Sequence, residues 1–219
     1  MIPKKIFQTH EYDYEDLPQN FKQTSLSWKN LNPGWEYIYH NKTQREQYVV
    51  DHAPKIHKMY TAVKPVHKAD IWRYLIIYNE GGVYADMDSF CSTPMDYILN
   101  NISENIEVVV VPEEKNKHIN NANFAAVKES KVIKEMNDFL ESWYLEMTSK
   151  YPIRDVLRMS NGPIHDIFND TIHSNISKVS QTMVAIHSGQ YKRDFAQESI
   201  VIDYFGEKIP YGDLKFSNI

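Results

Sequence analysis

The sequence predicts an α/β domain in which helices flank a single β-sheet, and three features predict it. Short β-rich runs alternate with segments of helical periodicity, the ordering that produces a layered α/β domain. A long helical run, Val66–Glu80, stops at Gly81-Gly82 and leads straight into a strand-like run, Val83–Asp88. Glu107–Pro112 is a continuous β-branched run, as expected of a strand buried on both faces.

Composition narrows the function classes. A chain of 219 residues suits one domain, and 42% hydrophobic with 24% charged residues is globular composition rather than disordered. Lys+Arg 24 against Asp+Glu 29 gives a net charge of −5, and no basic run exceeds a pair, so a nucleic-acid binder is not expected. The single cysteine, Cys91, excludes a disulfide framework and a Cys-rich zinc site. No stretch approaches 18 apolar residues, and MIPKKIFQTH has no apolar leader core. The expectation is a soluble cytoplasmic protein with no integral membrane segment and no nucleic-acid partner.

The elements follow in order. Pro3–Thr9 reads as a first strand, and Gln19–Lys29 as a helix ended by Asn32-Pro33-Gly34. Trp35–His40 alternates aromatic and branched residues as a second strand, and helical segments are expected between Thr43 and Tyr60. Gly81-Gly82 supplies a left-handed stop for the Val66–Glu80 helix. Asn123–Val127 is a further strand candidate. From Val132, the set Val132, Ile133, Met136, Phe139, Leu140, Trp143, Tyr144 and Met147 keeps helical spacing and is read as core packing. A short helix after Pro163 and a strand near Thr182–His187 complete the pattern. His52, His57, His67, His165 and His173 show no metal-ligand spacing and are read as ordinary surface or packing histidines.

Asp86-Met87-Asp88 is a D-x-D. With 14 aspartates in 219 residues, about one such pair arises by chance, so alone it decides nothing. Its place at the carboxyl end of an expected strand changes that, because open α/β sheets bind ligands there. Residues i and i+2 of a strand face the same side, so both carboxylates could meet one hard cation. Mg²⁺ and Mn²⁺ are commonly held this way, by one or two carboxylates and substrate phosphates. Asp70 and Arg73 share one helix face at i, i+3. They make either a local ion pair or a charged pair that holds sugar hydroxyls and meets a departing diphosphate.

The runs His67–Leu75 (HKADIWRYL) and Gly81–Asp88 (GGVYADMD) resemble the DXD-motif sugar transferases of glycosyltransferase family 32. Ile2–Thr9 is similar to that family's opening strand. Ser27-Trp28-Lys29 with Asn32–Tyr37 is similar to its second block, and Asn161-Gly162-Pro163 to a later Thr-Gly-Pro element. The resemblance implies a GT-A fold: one nucleotide-binding mixed sheet flanked by helices in a single domain. The donor side would lie at about residues 1–115 and the acceptor side at about 116–219.

It further implies a metal-dependent retaining glycosyltransferase using Mn²⁺ or Mg²⁺. The donor would be a nucleoside-diphosphate sugar, UDP favoured over GDP, and the acceptor a glycan or other hydroxyl compound. Carried over by position, Asp88 ligates the metal directly, while Asp86 contacts the ribose and reaches the metal. Asp70 and Arg73 hold the donor sugar, Tyr84 lines the nucleotide pocket, and Gln8 and Thr9 contact the base or ribose. His10 stands where relatives often carry a stacking Trp. The C-terminal metal ligand has no secure match, and His187 is the candidate. A bacterial or viral origin is expected. The alternative reading is a module of the same fold that binds nucleotide-sugar or glycan without turnover.

Overall fold

The computed structural model describes residues 1–100, 106–112, 119–176, 183–188, 199–203 and 207–209. The strands are β1 Lys5–Thr9, β2 Glu36–His40, β3 Gly82–Ala85, β4 Val108–Pro112, β5 Ile119–Ala126, β6 Met183–Ser188, β7 Ser199–Asp203 and β8 Glu207–Ile209. The helices are α1 Gln19–Leu31, α2 Lys42–His52, α3 His57–Ala62, α4 Pro65–Glu80, α5 Met95–Leu99, α6 Lys131–Lys150, α7 Ile153–Met159 and α8 Asn161–Ile176. The sheet is mixed, with order β2-β1-β3-β5-β4-β6-β7-β8. β1 pairs in parallel with β2 and β3, so three carboxyl ends, at Thr9, His40 and Ala85, line one edge. β5 runs antiparallel between β3 and β4.

Alternation along the strands builds two cores. Ile6, Val83 and Ala85 point to one face, where Trp28 of α1 and Trp35 cover them. Phe7, Tyr84, Val110 and Phe124 point to the other, beneath α4, α6 and α8. The α6 stripe packs as its spacing predicts through Val132, Ile133, Met136, Leu140 and Tyr144, while Phe139 falls off it at 44% exposed. Helix α8 is not the short segment expected after Pro163. It begins at Asn161 and runs to Ile176, because proline is tolerated within a first turn.

The joint between α4 and β3 depends on two glycines. Gly81 ends the helix with φ 64° and ψ 178°, and its N–H bonds to Ile77 O at 2.9 Å. That is not the expected left-handed helical cap. It is a glycine-only conformation that turns the chain directly into a strand. Gly82, at φ 113°, has no room for a side chain, since a Cβ would lie 2.6 Å from Lys5 O of β1.

Candidate active site

Strand β3 stops at Ala85, three residues before the end of the expected Val83–Asp88 strand. Asp86–Ser89 is a turn, with Ser89 N bonded to Asp86 O at 3.0 Å. The two carboxylates are therefore displayed by a turn, and same-side strand alternation is not what pairs them. Asp86 keeps a third of its side chain open, and Asp88 is exposed.

This turn is gripped from three elements. Asp86 N donates to Ala122 O of β5 at 2.8 Å. Gln8 of β1, fully buried, donates Nε2 to Asp86 O at 3.0 Å and accepts from Tyr37 OH at 2.8 Å. On α1, Thr24 donates to Met87 O, Trp28 Nε1 donates to Ser89 O at 2.8 Å, and Ser27 Oγ accepts from Cys91 N at 2.8 Å. These three lie at i, i+3 and i+4, one face of a helix. Asn32 Oδ1, just beyond, accepts from Met95 N at 2.6 Å. The backbone that carries both aspartates is thus preorganised by side chains far away in sequence.

Beneath the turn lies a buried charged network. The Arg73 guanidinium, its side chain 3% exposed, sits 3.2 Å from Asp70 Oδ1 and 3.2 Å from Asp86 Oδ1. It also donates to Asn121 O at 2.6 Å and lies over the Tyr84 ring, 4.4 Å from its centre. Tyr84 OH donates to Asp86 Oδ1. Asn121 Nδ2 donates to Asp70 Oδ1 at 3.0 Å and to Tyr74 OH at 2.7 Å. His67 Nδ1 meets Asp70 Oδ2 at 3.1 Å. Burial pushes the Asp86 carboxyl above its ordinary range, with Arg73 and Tyr84 pulling against it and Asp88 adding to it. Burial also drives the Tyr84 hydroxyl well up, so it remains a donor.

Of the two readings of Asp70 and Arg73, the ion pair exists, but it is buried and extends to Asp86, so it is no solvated surface pair. Asp70, Arg73, Tyr84 and Asp86 form one network, and Gln8 joins it through the backbone of Asp86. Thr9 stands one strand away, its hydroxyl donating to His40 O at 2.6 Å. His10 packs its ring against Tyr12 and Phe21, at centroid distances of 5.1 and 4.8 Å. For His187, β6 gives only a backbone position, opposite Ile200 of β7. Its side chain lies outside the described residues, as does that of His173. His67 departs from its reading as a packing histidine, being bonded to Asp70. Asn121, Thr24, Trp28 and Asn32 were not singled out in the sequence. For Trp28 and Asn32 a signal existed, since both fall in the second resemblance block.

Among the described residues no group of three His, Cys, Asp or Glu could hold a metal by itself. The donor set is two carboxylates two residues apart on a pinned turn. That fits a hard divalent cation completed by substrate phosphates better than a structural metal with an all-protein shell. Among the described residues no helix is long and apolar enough to cross a membrane.

Residues 18–107 match the family model described as the glycosyltransferase sugar-binding region containing DXD motif. The chain is 32% identical over 100 residues to a mannosyl phosphorylinositol ceramide synthase of Saccharomyces cerevisiae, covering 45% of this chain and 26% of that protein. It is 31% identical over 100 residues to inositol phosphoceramide mannosyltransferase 2 of Schizosaccharomyces pombe, with 45% and 28% covered. It is 30% identical over 106 residues to an initiation-specific alpha-1,6-mannosyltransferase of Candida albicans, with 46% and 28% covered. The matches span about a quarter of each relative's length. These yeast proteins lend no support to the expected bacterial or viral origin. In structure the chain is similar to the PaToxG glycosyltransferase, with a TM-score of 0.53 at 16% identity, covering 80% of this chain and 70% of that one. This likeness supports the expected GT-A-type fold. Asp70, Arg73, Tyr84, Asp86 and Asp88 all fall within the segment that is similar to the DXD-motif glycosyltransferase sugar-binding region.

Proposed function

We propose that this chain is a metal-dependent, retaining glycosyltransferase that moves a sugar from a nucleoside diphosphate to a hydroxyl acceptor. The observation that carries the reading is the continuous network Asp70–Arg73–Asp86–Tyr84 at the carboxyl edge of the sheet, with Asp88 exposed beside it. Asp86 and Asp88 hold Mn²⁺ or Mg²⁺, which when bound offsets charge on the departing diphosphate. Arg73 fixes the Asp86 carboxylate and, with Asp70, the donor sugar. Tyr84 orients Asp86 from below. Gln8 and Thr9 shape the nucleotide end from within the sheet, Gln8 by holding the Asp86 carbonyl. The bond from the anomeric carbon to the diphosphate oxygen breaks with its electron pair on the diphosphate. The acceptor oxygen bonds to that carbon on the same face, and its proton passes to a phosphate oxygen of the leaving group.

The names of the yeast relatives make mannose the first sugar to try, and GDP-mannose is tested beside UDP-glucose. Release of nucleoside diphosphate, with and without added sugar acceptors, tests the proposal. Turnover of one donor is expected with Mn²⁺ and is lost in EDTA. Asp86→Asn and Asp88→Asn each lower it by about 10²-fold or more. Wild-type turnover in both variants overturns the site, and nucleotide binding without any turnover overturns the activity.

A further inference from the structure

The Asp70 carboxylate is held on both oxygens. Oδ1 accepts from Arg73 at 3.2 Å and from Asn121 Nδ2 at 3.0 Å, while Oδ2 faces His67 Nδ1 at 3.1 Å. A carboxylate offers about four acceptor positions, two per oxygen. Among the described residues the contacts therefore fill Oδ1 and leave one acceptor position, on Oδ2. A sugar hydroxyl bound by Asp70 takes the very oxygen that His67 holds. His67 lies one helical turn before Asp70 on α4, and the two side chains are only 10% and 7% exposed. His165 of α8 meets the His67 ring edge-on at 6.5 Å. The bond to His67 fixes the plane of the carboxylate, and with it the direction of the remaining lone pair.

We infer that His67 is a positioning residue for the sugar half of the donor, acting through Oδ2 of Asp70. This rests on the proposed transferase reading. Among the described residues His67 contacts Asp70 and His165, so its effect should reach the sugar half through Asp70 and leave the nucleotide half unchanged. Asn121 is a poorer probe, because its side-chain amide also donates to Tyr74 OH at 2.7 Å.

The test compares His67→Ala and His67→Asn in the full chain, since an Asn amide can place a donor where Nδ1 stands. Donor KM and kcat are measured with Mn²⁺ for whichever of UDP-glucose and GDP-mannose the wild type turns over. Calorimetry gives Kd for the matching nucleoside diphosphate. His67→Ala is expected to raise donor KM about five- to tenfold, the loss of one hydrogen bond's worth of orientation. Its affinity for the nucleoside diphosphate stays within about twofold, and His67→Asn restores the donor KM. An unchanged KM, equal weakening of donor and nucleoside diphosphate, or failure of His67→Asn to restore KM overturns the inference. If His67→Ala does not fold, the folded His67→Asn alone decides, a wild-type KM supporting the inference and a raised one refuting it.

If the wild type turns over neither donor, the transferase reading fails on its own. The His67–Asp70 contact is then read from the imidazole NMR signals. A hydrogen-bonded Nδ1 proton that disappears in Asp70→Asn supports the positioning contact, and its absence from the wild type refutes it.

Discussion

Replacing Arg73 with leucine removes the cation at the centre of the network and leaves a side chain of fair volume in its place. Among the described residues Asp70, 7% exposed, keeps donors from His67 and Asn121 alone, while Asp86, at 33%, can recover water. Stranding one partner of a buried pair costs about 3–5 kcal/mol. The openness of Asp86 places this case at the lower end, and the orphaned Asn121 carbonyl adds about 1 kcal/mol. The expected loss is about 3–4 kcal/mol, or about 10 °C in Tm for a domain of this size. Urea unfolding measures it as a fall in midpoint with the slope unchanged. The double variant with Asp70→Asn should recover about 1 kcal/mol or more of that loss. A single-variant loss below about 1 kcal/mol, or strict additivity with Asp70→Asn, refutes the claim that the Arg73–Asp70 pair is buried and coupled.

Two other predictions concern the frame of the site. Gly82→Ala combines φ 113° with a Cβ only 2.6 Å from Lys5 O, so it should cost about 3 kcal/mol or more, and a melt near wild type would contradict the β1–β3 packing. Burial, opposed by Arg73 and Tyr84, holds the Asp86 carboxyl above the ordinary 3.8. A group raised on folding contributes stability in full below its unfolded pKa and loses it as pH rises through the folded value. Without metal, the stability margin of wild type over Asp86→Asn should therefore shrink as pH rises above the ordinary 3.8, and a widening margin would reverse the sign.

Local signals carried most of the donor-side fold. Pro65 and Gly81 bracket α4, and the valine run from Val108 marks β4. The period-two pattern VYADMD, however, continues three residues past the true end of β3, because what breaks the strand is not local. Thr24, Trp28 and Gln8 reach the turn from α1 and β1, and no pattern within Val83–Asp88 encodes them. Asp70 and Arg73 were visible as a pair, but their link to Asp86 needs α4 and β3 to be stacked. Asn121 was illegible for the same reason, since its partners lie some fifty residues upstream. His67 looked ordinary because a histidine bonded to an aspartate three residues on carries no motif.

The proposed function requires that Asp86 and Asp88 make a metal-dependent nucleotide site. Calorimetric titration of UDP and of GDP into the protein, with Mn²⁺ and again with EDTA, tests it most directly, with Asp88→Asn as control. One nucleotide should bind with Mn²⁺, lose that binding in EDTA, and bind about tenfold or more weakly to Asp88→Asn. Equal binding with and without metal, or binding untouched by Asp88→Asn, would contradict the account.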